Sequence, residues 1–385
     1  MNSTAPALAL DFDPDALLAG LRPWVECESP TFAAPAVNAM TALAAAMLAP
    51  LAPVVTRFPG TLGLGDTLRL DLPHPDRGRV PGLLVMAHLD TVHPIGTLAA
   101  LPFRIEAGLC YGPGICDMKG GTFLAFAALL ALAKAGIPTA RPVSILLTGD
   151  EEIGSPSTRA LIEAVAAEHA AILVPEPARP DGDSAMGGVV SGRYAIARFN
   201  LRTTGRPSHA GSTLSEGRSA IREMCRLVPQ IDGMTTEAAT FSVGVIHGGQ
   251  WVNCVATTCE AEALSMARRQ EDLDAAVTAM LALRSSGDGV GLEVRRGVTR
   301  PVWEPDAGVM RLHGLAESLA AQLGYRLPHG SAGGGSDGNF TGALGLPTLD
   351  GLGVLGAGYH TLQEHIRIDS LVPRVRLLAG LLTSA

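Results

Sequence analysis

Aromatic side chains are scarce in this 385-residue chain, at 4% of the residues, although 47% of the residues are hydrophobic. Small and aliphatic residues must therefore fill the cores, which suits closely packed layers of helices on sheets. The six cysteines form neither a CxxC pair nor a short secreted framework. We expect free thiols and a cytoplasmic protein.

Long runs of one charge are also missing, and 29 basic against 37 acidic residues give a net charge of −8. This balance argues against nucleic acid and anionic membranes as partners. The N-terminal ten residues lack the basic region of a signal peptide, and we find no apolar run long enough to span a bilayer. We expect the apolar segments 39–52 and 122–135 to be core helices.

Three consecutive acids, Asp150, Glu151 and Glu152, follow an apolar run at residues 142–147. Adjacent carboxylates repel one another, so acids at the end of a buried strand indicate that cations neutralise them there. The pattern after the acids predicts a helix over residues 155–168.

The first part of the chain alternates short apolar runs with helical segments. This predicts an α/β fold with a mixed, largely parallel sheet and helices on both faces. Ligands of such sheets bind at the carboxyl ends of the strands. The polar residues at these ends, or in the loop between them, are His88, Asp90, Asp117, Glu151, Glu152 and Glu176. Their convergence predicts a single site.

The pattern changes near residue 190, where strands with one wet face begin to alternate with two helices. This predicts an inserted α+β domain at 191–300, with one antiparallel sheet covered by both helices. The helix and strand alternation resumes after Pro301. We therefore expect a catalytic domain built from residues 1–190 and 301–385.

Seven motifs occur in register along the chain. They are H-L-D-T-V (88–92), G-P-G-I-C-D-M-K-G-G (112–121), T-G-D-E-E-I-G-S (148–155), P-E-P (175–177), G-R-P-S-H-A-G (205–211), G-G-G-S-D (333–337) and G-A-G-Y-H (356–360). Their order and spacing resemble the family of glutamate carboxypeptidase (carboxypeptidase G), acetylornithine deacetylase, succinyl-diaminopimelate desuccinylase and aminoacylase, and are closest to the carboxypeptidase G branch. The resemblance implies a zinc-exopeptidase-like fold with an inserted ferredoxin-like dimerisation or lid domain.

The resemblance also implies two zinc ions per subunit, bridged by Asp117. His88 and Glu176 complete the ligands of one ion, and Glu152 and His360 those of the other. Imidazole and carboxylate groups suit zinc, and a bridging carboxylate can hold two metals roughly 3.5 to 4 Å apart. Manganese and cobalt suit the same carboxylate-rich set.

Two other histidines lie near these motifs. His365 is a rival of His360 as a ligand, and the G-Y-H context favours His360. His93, three residues after Asp90, is expected behind the ligands or in the wall of the site rather than as a ligand.

Three further residues have catalytic roles in the family that the chain resembles. Asp90 would accept a hydrogen bond from His88 and fix its tautomer. Glu151 would act as the general base, taking a proton from the metal-bridging water that attacks the amide and giving it to the leaving amine. His209 would be contributed to the neighbouring subunit, where it stabilises the oxyanion. The resemblance therefore implies a homodimer.

Substrate recognition departs from the family pattern. Asn253 matches an asparagine that contacts substrate, but the residues C-V-A that follow differ from the family's N-x-I-P pattern. Gly334, Gly335 and Ser336 resemble a loop whose backbone N–H groups touch substrate. Met266 stands where the family has an arginine that holds the substrate's α-carboxylate bidentately.

We therefore expect a hydrolase that cleaves a peptide or N-acyl amide bond of a small-molecule substrate. One alternative is an N-acyl amino acid deacylase, or a hydrolase of a small non-peptide amide or amine without an α-carboxylate. Met266 favours the latter, because Arg268 and Arg269 lie about 7 to 10 Å further along an extended strand. A second alternative is a catalytically inactive metal-binding dimer. Glu151 argues against it, because metal binding alone does not require this acid.

Overall fold

The computed structural model describes residues 6–182 and 184–385. Residues 1–5, the start of the segment expected to lack a signal peptide, and residue 183 lie outside the described residues. The chain divides into two units. The first comprises Met1–Gly192, Glu304–Ala332 and Ser336–Ala385, and the second comprises Arg193–Trp303 and Gly333–Gly335. The predicted limits of the inserted domain, 191 and 300, differ from those of the second unit by two and three residues, and the three glycines belong to the second unit instead of the catalytic part.

The helices and strands are as follows. The α-helices are α1 (Pro14–Glu26), α2 (Ala34–Met47), α3 (Gly120–Ala135), α4 (Arg159–Ala166), α5 (Ala220–Asp232), α6 (Gln270–Leu281), α7 (Ala307–Gln322), α8 (Gly338–Ala343) and α9 (Leu371–Ser384). The strands are β1 (Val54–Phe58), β2 (Thr67–Asp71), β3 (Gly82–His88), β4 (Arg104–Glu106), β5 (Leu109–Tyr111), β6 (Val143–Thr148), β7 (His169–Leu173), β8 (Val189–Arg193), β9 (Ala195–Thr204), β10 (Ala239–Gly248), β11 (Thr258–Ala267), β12 (Gly291–Arg300), β13 (His329–Ala332), β14 (Thr348–Leu349), β15 (Gly356–Ala357) and β16 (His365–Arg367).

A six-stranded sheet with the order β1-β2-β6-β3-β7-β14 lies in the first unit. β3 pairs in parallel with β6 and β7, and β7 with β14, whereas β1 and β2 form an antiparallel edge. All seven residues of β3 and all six of β6 are buried. Such runs are typical of strands covered on both faces. The predicted mixed, largely parallel sheet is confirmed.

The segment Ile115–Ala135 is, by length and composition alone, apolar enough to cross a membrane, and 78% of its apolar window is buried inside the protein. The expectation that no run reaches this length was wrong, because the turn before α3 continues directly into the helix. The segment is packed as a core helix. The Trp24 ring meets the rings of Phe123 and Phe126 edge-on, with centroids 5.7 and 5.5 Å apart.

The second unit follows a βαββαβ order along the chain, from β9 to β12. Its antiparallel sheet has the order β10-β11-β9-β12, and α5 and α6 bury their apolar side chains on one face of it. Burial alternates along β9, so that every second residue faces the helices. This is the arrangement of a ferredoxin-like module.

The acids after β6 are held by a tight turn instead of opening a helix. The predicted helix over 155–168 begins only at Arg159. Gly154 and Ser155 have φ angles of 94° and 58°, in the left-handed region, so the chain reverses before the helix starts. The Asp150 carboxylate accepts the Ser157 N–H at 2.8 Å, which stabilises the turn.

Truncating β3 in the core should weaken the frame that carries the site. Leu84 is fully buried in β3, so Leu84→Ala should lower the free energy of unfolding by about 2–5 kcal/mol. The exposed Leu344 provides the matched control, and Leu344→Ala should cost no more than about 0.5 kcal/mol. Urea unfolding of both variants tests this, and equal losses would contradict the placement of Leu84 in the core.

Candidate metal centre

Two histidines approach one carboxylate at the carboxyl ends of the parallel strands. His88 is the last residue of β3, and Asp117 lies in the turn before α3. Asp117 Oδ1 is 3.2 Å from His88 Nε2, and Asp117 Oδ2 is 3.2 Å from His360 Nε2. The two oxygens of one carboxylate therefore face two different imidazoles.

The surrounding side chains form two groups of three, and within each group the ligand atoms lie within 4.8 Å of one another. The groups are His88, Glu151 and Glu176, and Asp117, Glu152 and His360. His88 Nε2 is 3.6 Å from Glu176 Oε1 and 3.9 Å from Glu151 Oε2. Glu152 Oε2 is 3.2 Å from His360 Nε2.

The structure thus brings together the five residues expected to hold metal, together with Glu151. The donors are carboxylate oxygens and imidazole nitrogens, which suit zinc and also manganese or cobalt. Asp117 borders both groups, as a bridging ligand must. The residues present therefore fit two divalent cations.

Asp90 lies behind His88, as expected, but it holds more than the imidazole. His88 Nδ1 is 3.0 Å from the Asp90 main-chain carbonyl and 3.4 Å from its carboxylate. The carboxylate accepts the backbone N–H groups of Glu151 and Glu152, at 3.2 Å each, and the Thr31 hydroxyl at 2.8 Å. Asp90 therefore fixes the histidine and the acid pair together.

The electrostatics of the cluster favour bound cations or bound protons. Burial raises the pKa of Glu176, and the charge of Asp117 raises it further. Hydrogen bonds to Asp117 and Glu152 raise the pKa of His360 to about 10. Burial alone would lower the pKa of His88, but hydrogen bonds to carboxylates outweigh it and leave the pKa raised. Without metal, the cluster therefore retains protons on its imidazoles.

His209 and Asn253 lie in the second unit, on segments joined by the Ala210 N–H, which donates to the Asn253 carbonyl at 2.9 Å. The N–H groups of Gly211 and Ser212 point at His209 Nδ1, at 3.1 and 3.2 Å. Because Nδ1 accepts these bonds, the neutral ring carries its proton on Nε2. His209 therefore presents a hydrogen-bond donor at its exposed end.

Met266 lies on β11, on the sheet face opposite α5 and α6. It pairs with Ile196 of β9, and Arg300 of β12 pairs with the same Ile196. Directly paired residues point to the same side of a sheet, so Arg300 shares the face of Met266. The sequence suggested Arg268 and Arg269 but not Arg300, because cross-strand register is not visible in a sequence.

The glycine-rich loop is held in place through its carbonyl groups. The carbonyls of Gly334 and Gly335 accept hydrogen bonds from Arg193 Nη1 at 2.8 and 3.2 Å. Ser336 is fully buried, and its N–H donates to the Asn339 side chain at 3.0 Å. The Ser336 hydroxyl donates to a buried carboxylate at 2.6 Å. The N–H of Ser336 is therefore engaged inside the protein, and the substrate contacts of Gly334, Gly335 and Ser336 stay predictions.

Glu364 is a second residue that the sequence did not point to. It is buried against the turn that carries Asp117, whose N–H donates to Glu364 Oε1 at 3.1 Å. The only signal in the sequence was an acid placed four residues after His360.

Metal binding should release protons, and the affinity should fall with falling pH. His360 has a raised pKa of about 10, so the ring is protonated at neutral pH and must lose its proton to coordinate. Calorimetric titration of zinc into chelator-treated protein, in buffers of different ionisation heat, should report net proton release. The affinity should be lower at roughly pH 6 than at roughly pH 8. Heats independent of the buffer would contradict protonated ligands.

Comparison with known proteins agrees with this geometry. The sequence profile of peptidase family M20/M25/M40 matches residues 84–384. Carboxypeptidase G2 from Pseudomonas sp. (strain RS-16) is 31% identical over 306 residues, which cover 78% of this chain and 73% of the relative.

Solved structures share the fold. Human carnosine dipeptidase 1 superposes with a TM-score of 0.76 at 15% identity, covering 96% of both chains. A dinuclear metal-binding peptidase from Bacillus subtilis superposes with a TM-score of 0.63 at 16% identity, covering 96% of this chain and 97% of that one. The profile match and the identity to carboxypeptidase G2 decide the family. The chain belongs to peptidase family M20/M25/M40 and is a hydrolase of peptide or amide bonds.

Proposed function

We propose that this protein is a two-metal amidohydrolase of the glutamate carboxypeptidase type, which cleaves the terminal peptide or N-acyl bond of a small substrate. The observation that carries the proposal is the Asp117 carboxylate placed 3.2 Å from both His88 and His360, with Glu151 beside them. Zinc is the proposed metal, with two ions per subunit.

Five side chains would hold the metal pair. His88 and Glu176 would bind one ion, Glu152 and His360 the other, and Asp117 would be shared between them. Ions bound there lower the pKa of a water molecule and polarise the scissile carbonyl.

Glu151 would move the proton. Its carboxylate lies in the cluster, 3.9 Å from His88 Nε2, and its backbone N–H donates to Asp90 at 3.2 Å. A carboxylate so placed can accept a proton from the attacking water and return it to the leaving nitrogen.

We also propose that the protein works as a homodimer. Trp251 and Val252 are exposed beside Asn253, and β10 is an edge strand that exposes Val245 and Ile246. An unpaired sheet edge can pair with another chain, and contiguous exposed apolar side chains mark protein–protein interfaces. A second copy of this chain is the proposed partner, because its His209 would supply the Nε2–H donor for the oxyanion.

For the substrate, a free α-carboxylate is the proposed determinant, and Arg300 supports it. Arg300 is a buried residue on the sheet face of Met266, and its guanidinium is the proposed bidentate partner of that carboxylate in place of Met266. Met266 itself favours the second candidate, hydrolysis of an amide without an α-carboxylate.

The base assignment predicts the effect of Glu151→Gln. Turnover should fall by about 10²- to 10⁴-fold, because proton transfer is lost while the shape is kept. The metal content, measured by mass spectrometry of the metals, should stay unchanged. The partly exposed Glu163 provides the control, and Glu163→Gln should retain full activity. Unchanged turnover in Glu151→Gln would remove this residue from the mechanism, and no turnover of any amide by the wild type would favour an inactive binding dimer.

The carboxylate assignment predicts the behaviour of Arg300→Leu. Each of a set of amides is offered with a free α-carboxylate and as its uncharged counterpart. Loss of the charged hydrogen bonds, worth about 1.5–3 kcal/mol, should lower kcat/KM for the carboxylates roughly 10- to 100-fold. The uncharged counterparts should be unaffected. Arg300→Lys keeps the charge but loses the bidentate geometry. Its kcat/KM for the carboxylates should lie between the values of the wild type and of Arg300→Leu. If the wild type cleaves the uncharged amides as well or better, the second candidate is correct.

A further inference from the structure

The carboxylate of Glu364 is enclosed by the turn that carries Asp117. Glu364 Oε1 accepts the backbone N–H groups of Cys116 and Asp117, at 2.8 and 3.1 Å. Glu364 Oε2 accepts the N–H of Gly114 at 2.9 Å. Three amides of one short turn therefore converge on a single side chain, which is itself buried.

The backbone of this turn is shaped for that carboxylate. Gly114 has a φ of 68°, in the left-handed region, which turns the following amides inward. The Gly112 N–H also donates to the Glu364 main-chain carbonyl, at 3.3 Å. Because a buried amide without an acceptor is costly, the turn cannot keep this path if the carboxylate is lost.

His93 completes the contacts of Glu364. Its Nε2 is 2.6 Å from Glu364 Oε2, and both side chains are buried. His93 lies shortly after Asp90 at the end of β3, so the bond joins two parts of the chain that carry site residues. The structure therefore gives His93 a specific partner, Glu364.

The same turn determines where Asp117 lies. Its N–H is held by Glu364, while its carboxylate faces His88 and His360 at 3.2 Å each. Glu364 also follows His360 by four residues on the same loop. A single carboxylate thus connects the segments of both ligands, and a shift of the turn would change both 3.2 Å distances.

We propose that Glu364, oriented by His93, is a positioning residue that holds Asp117 between the two histidines and thereby sets the affinity for the metal pair. Glu364 belongs to neither of the two groups of metal-ligating side chains. It acts through the amides of the Asp117 turn. This inference rests on the proposed function, because it assumes that Asp117 binds metal.

The hydrogen bonds of Glu364 predict the effects of substitutions at this position. In Glu364→Gln, the remaining oxygen can still accept from Cys116 and Asp117, but the new amide nitrogen faces the Gly114 N–H, a donor against a donor. His93 must then accept instead of donate. Glu364→Gln should therefore loosen the turn, and Glu364→Ala should release it.

The experiment is a titration of cobalt into the chelator-treated full chain, read by the visible absorption of the bound cobalt and by calorimetry. In Glu364→Gln the cobalt affinity should fall about 10- to 100-fold, and the absorption bands should shift, since residues that orient ligands act on both affinity and geometry. Glu223→Gln is the matched control. Glu223 is also buried and accepts the Ser286 N–H at 2.8 Å, but it lies in the second unit. Cobalt binding to Glu223→Gln should equal that of the wild type.

A second pair of variants separates positioning from folding. His93→Leu removes the imidazole contact of Glu364 Oε2 and leaves the three amide bonds in place, so it should also lower the cobalt affinity. His93→Gln retains an N–H donor and should restore most of the loss. Variants that unfold more easily but bind cobalt with wild-type affinity and spectrum would overturn the inference. A wild-type chain that binds no cobalt would overturn the proposed function, and this inference with it.

Discussion

Repulsion among carboxylates is the constraint around which this molecule is arranged. Strands β3, β6 and β7 end at one edge of a buried sheet, and the acids that follow them meet at distances of a few ångströms. Such a set can stay ionised only beside cations. The imidazoles of His88 and His360 and the shared Asp117 carboxylate supply the further ligands that complete two cation sites. The acids cannot easily move apart, because the central strands that carry them are buried on both faces of the sheet.

Backbone amides hold the acids in place. Asp90 accepts the N–H groups of Glu151 and Glu152, Asp150 accepts that of Ser157, and Glu364 accepts three from the Asp117 turn. Hydrogen bonds from amides to carboxylates are charge-assisted and fix the direction of a side chain without adding another titrating group. The main chain therefore holds the site rigid. The carboxylate charges that these amides do not neutralise remain available for metal binding and proton transfer.

Much of this arrangement could be predicted from the sequence, because it depends on local patterns. Short apolar runs ending in His88 and in the acids after Thr148 predict strand ends, and strand ends of a parallel sheet share one edge. Left-handed Ser155, which delays α4, was not predictable from residue type. The positions of Arg300 and Glu364 were missed because they depend on strand register and on a contact between distant segments. Those features arise only once the chain has folded.

The most direct test of a shared Asp117 is a crystal structure of the zinc-loaded protein with anomalous scattering measured at the zinc edge. Two peaks should appear, roughly 3.5 to 4 Å apart, one on each side of the Asp117 carboxylate. His88 and Glu176 should contact one peak, Glu152 and His360 the other, and Glu151 should contact neither directly. A single peak, or a peak that Glu151 binds in place of Asp117, would contradict the account.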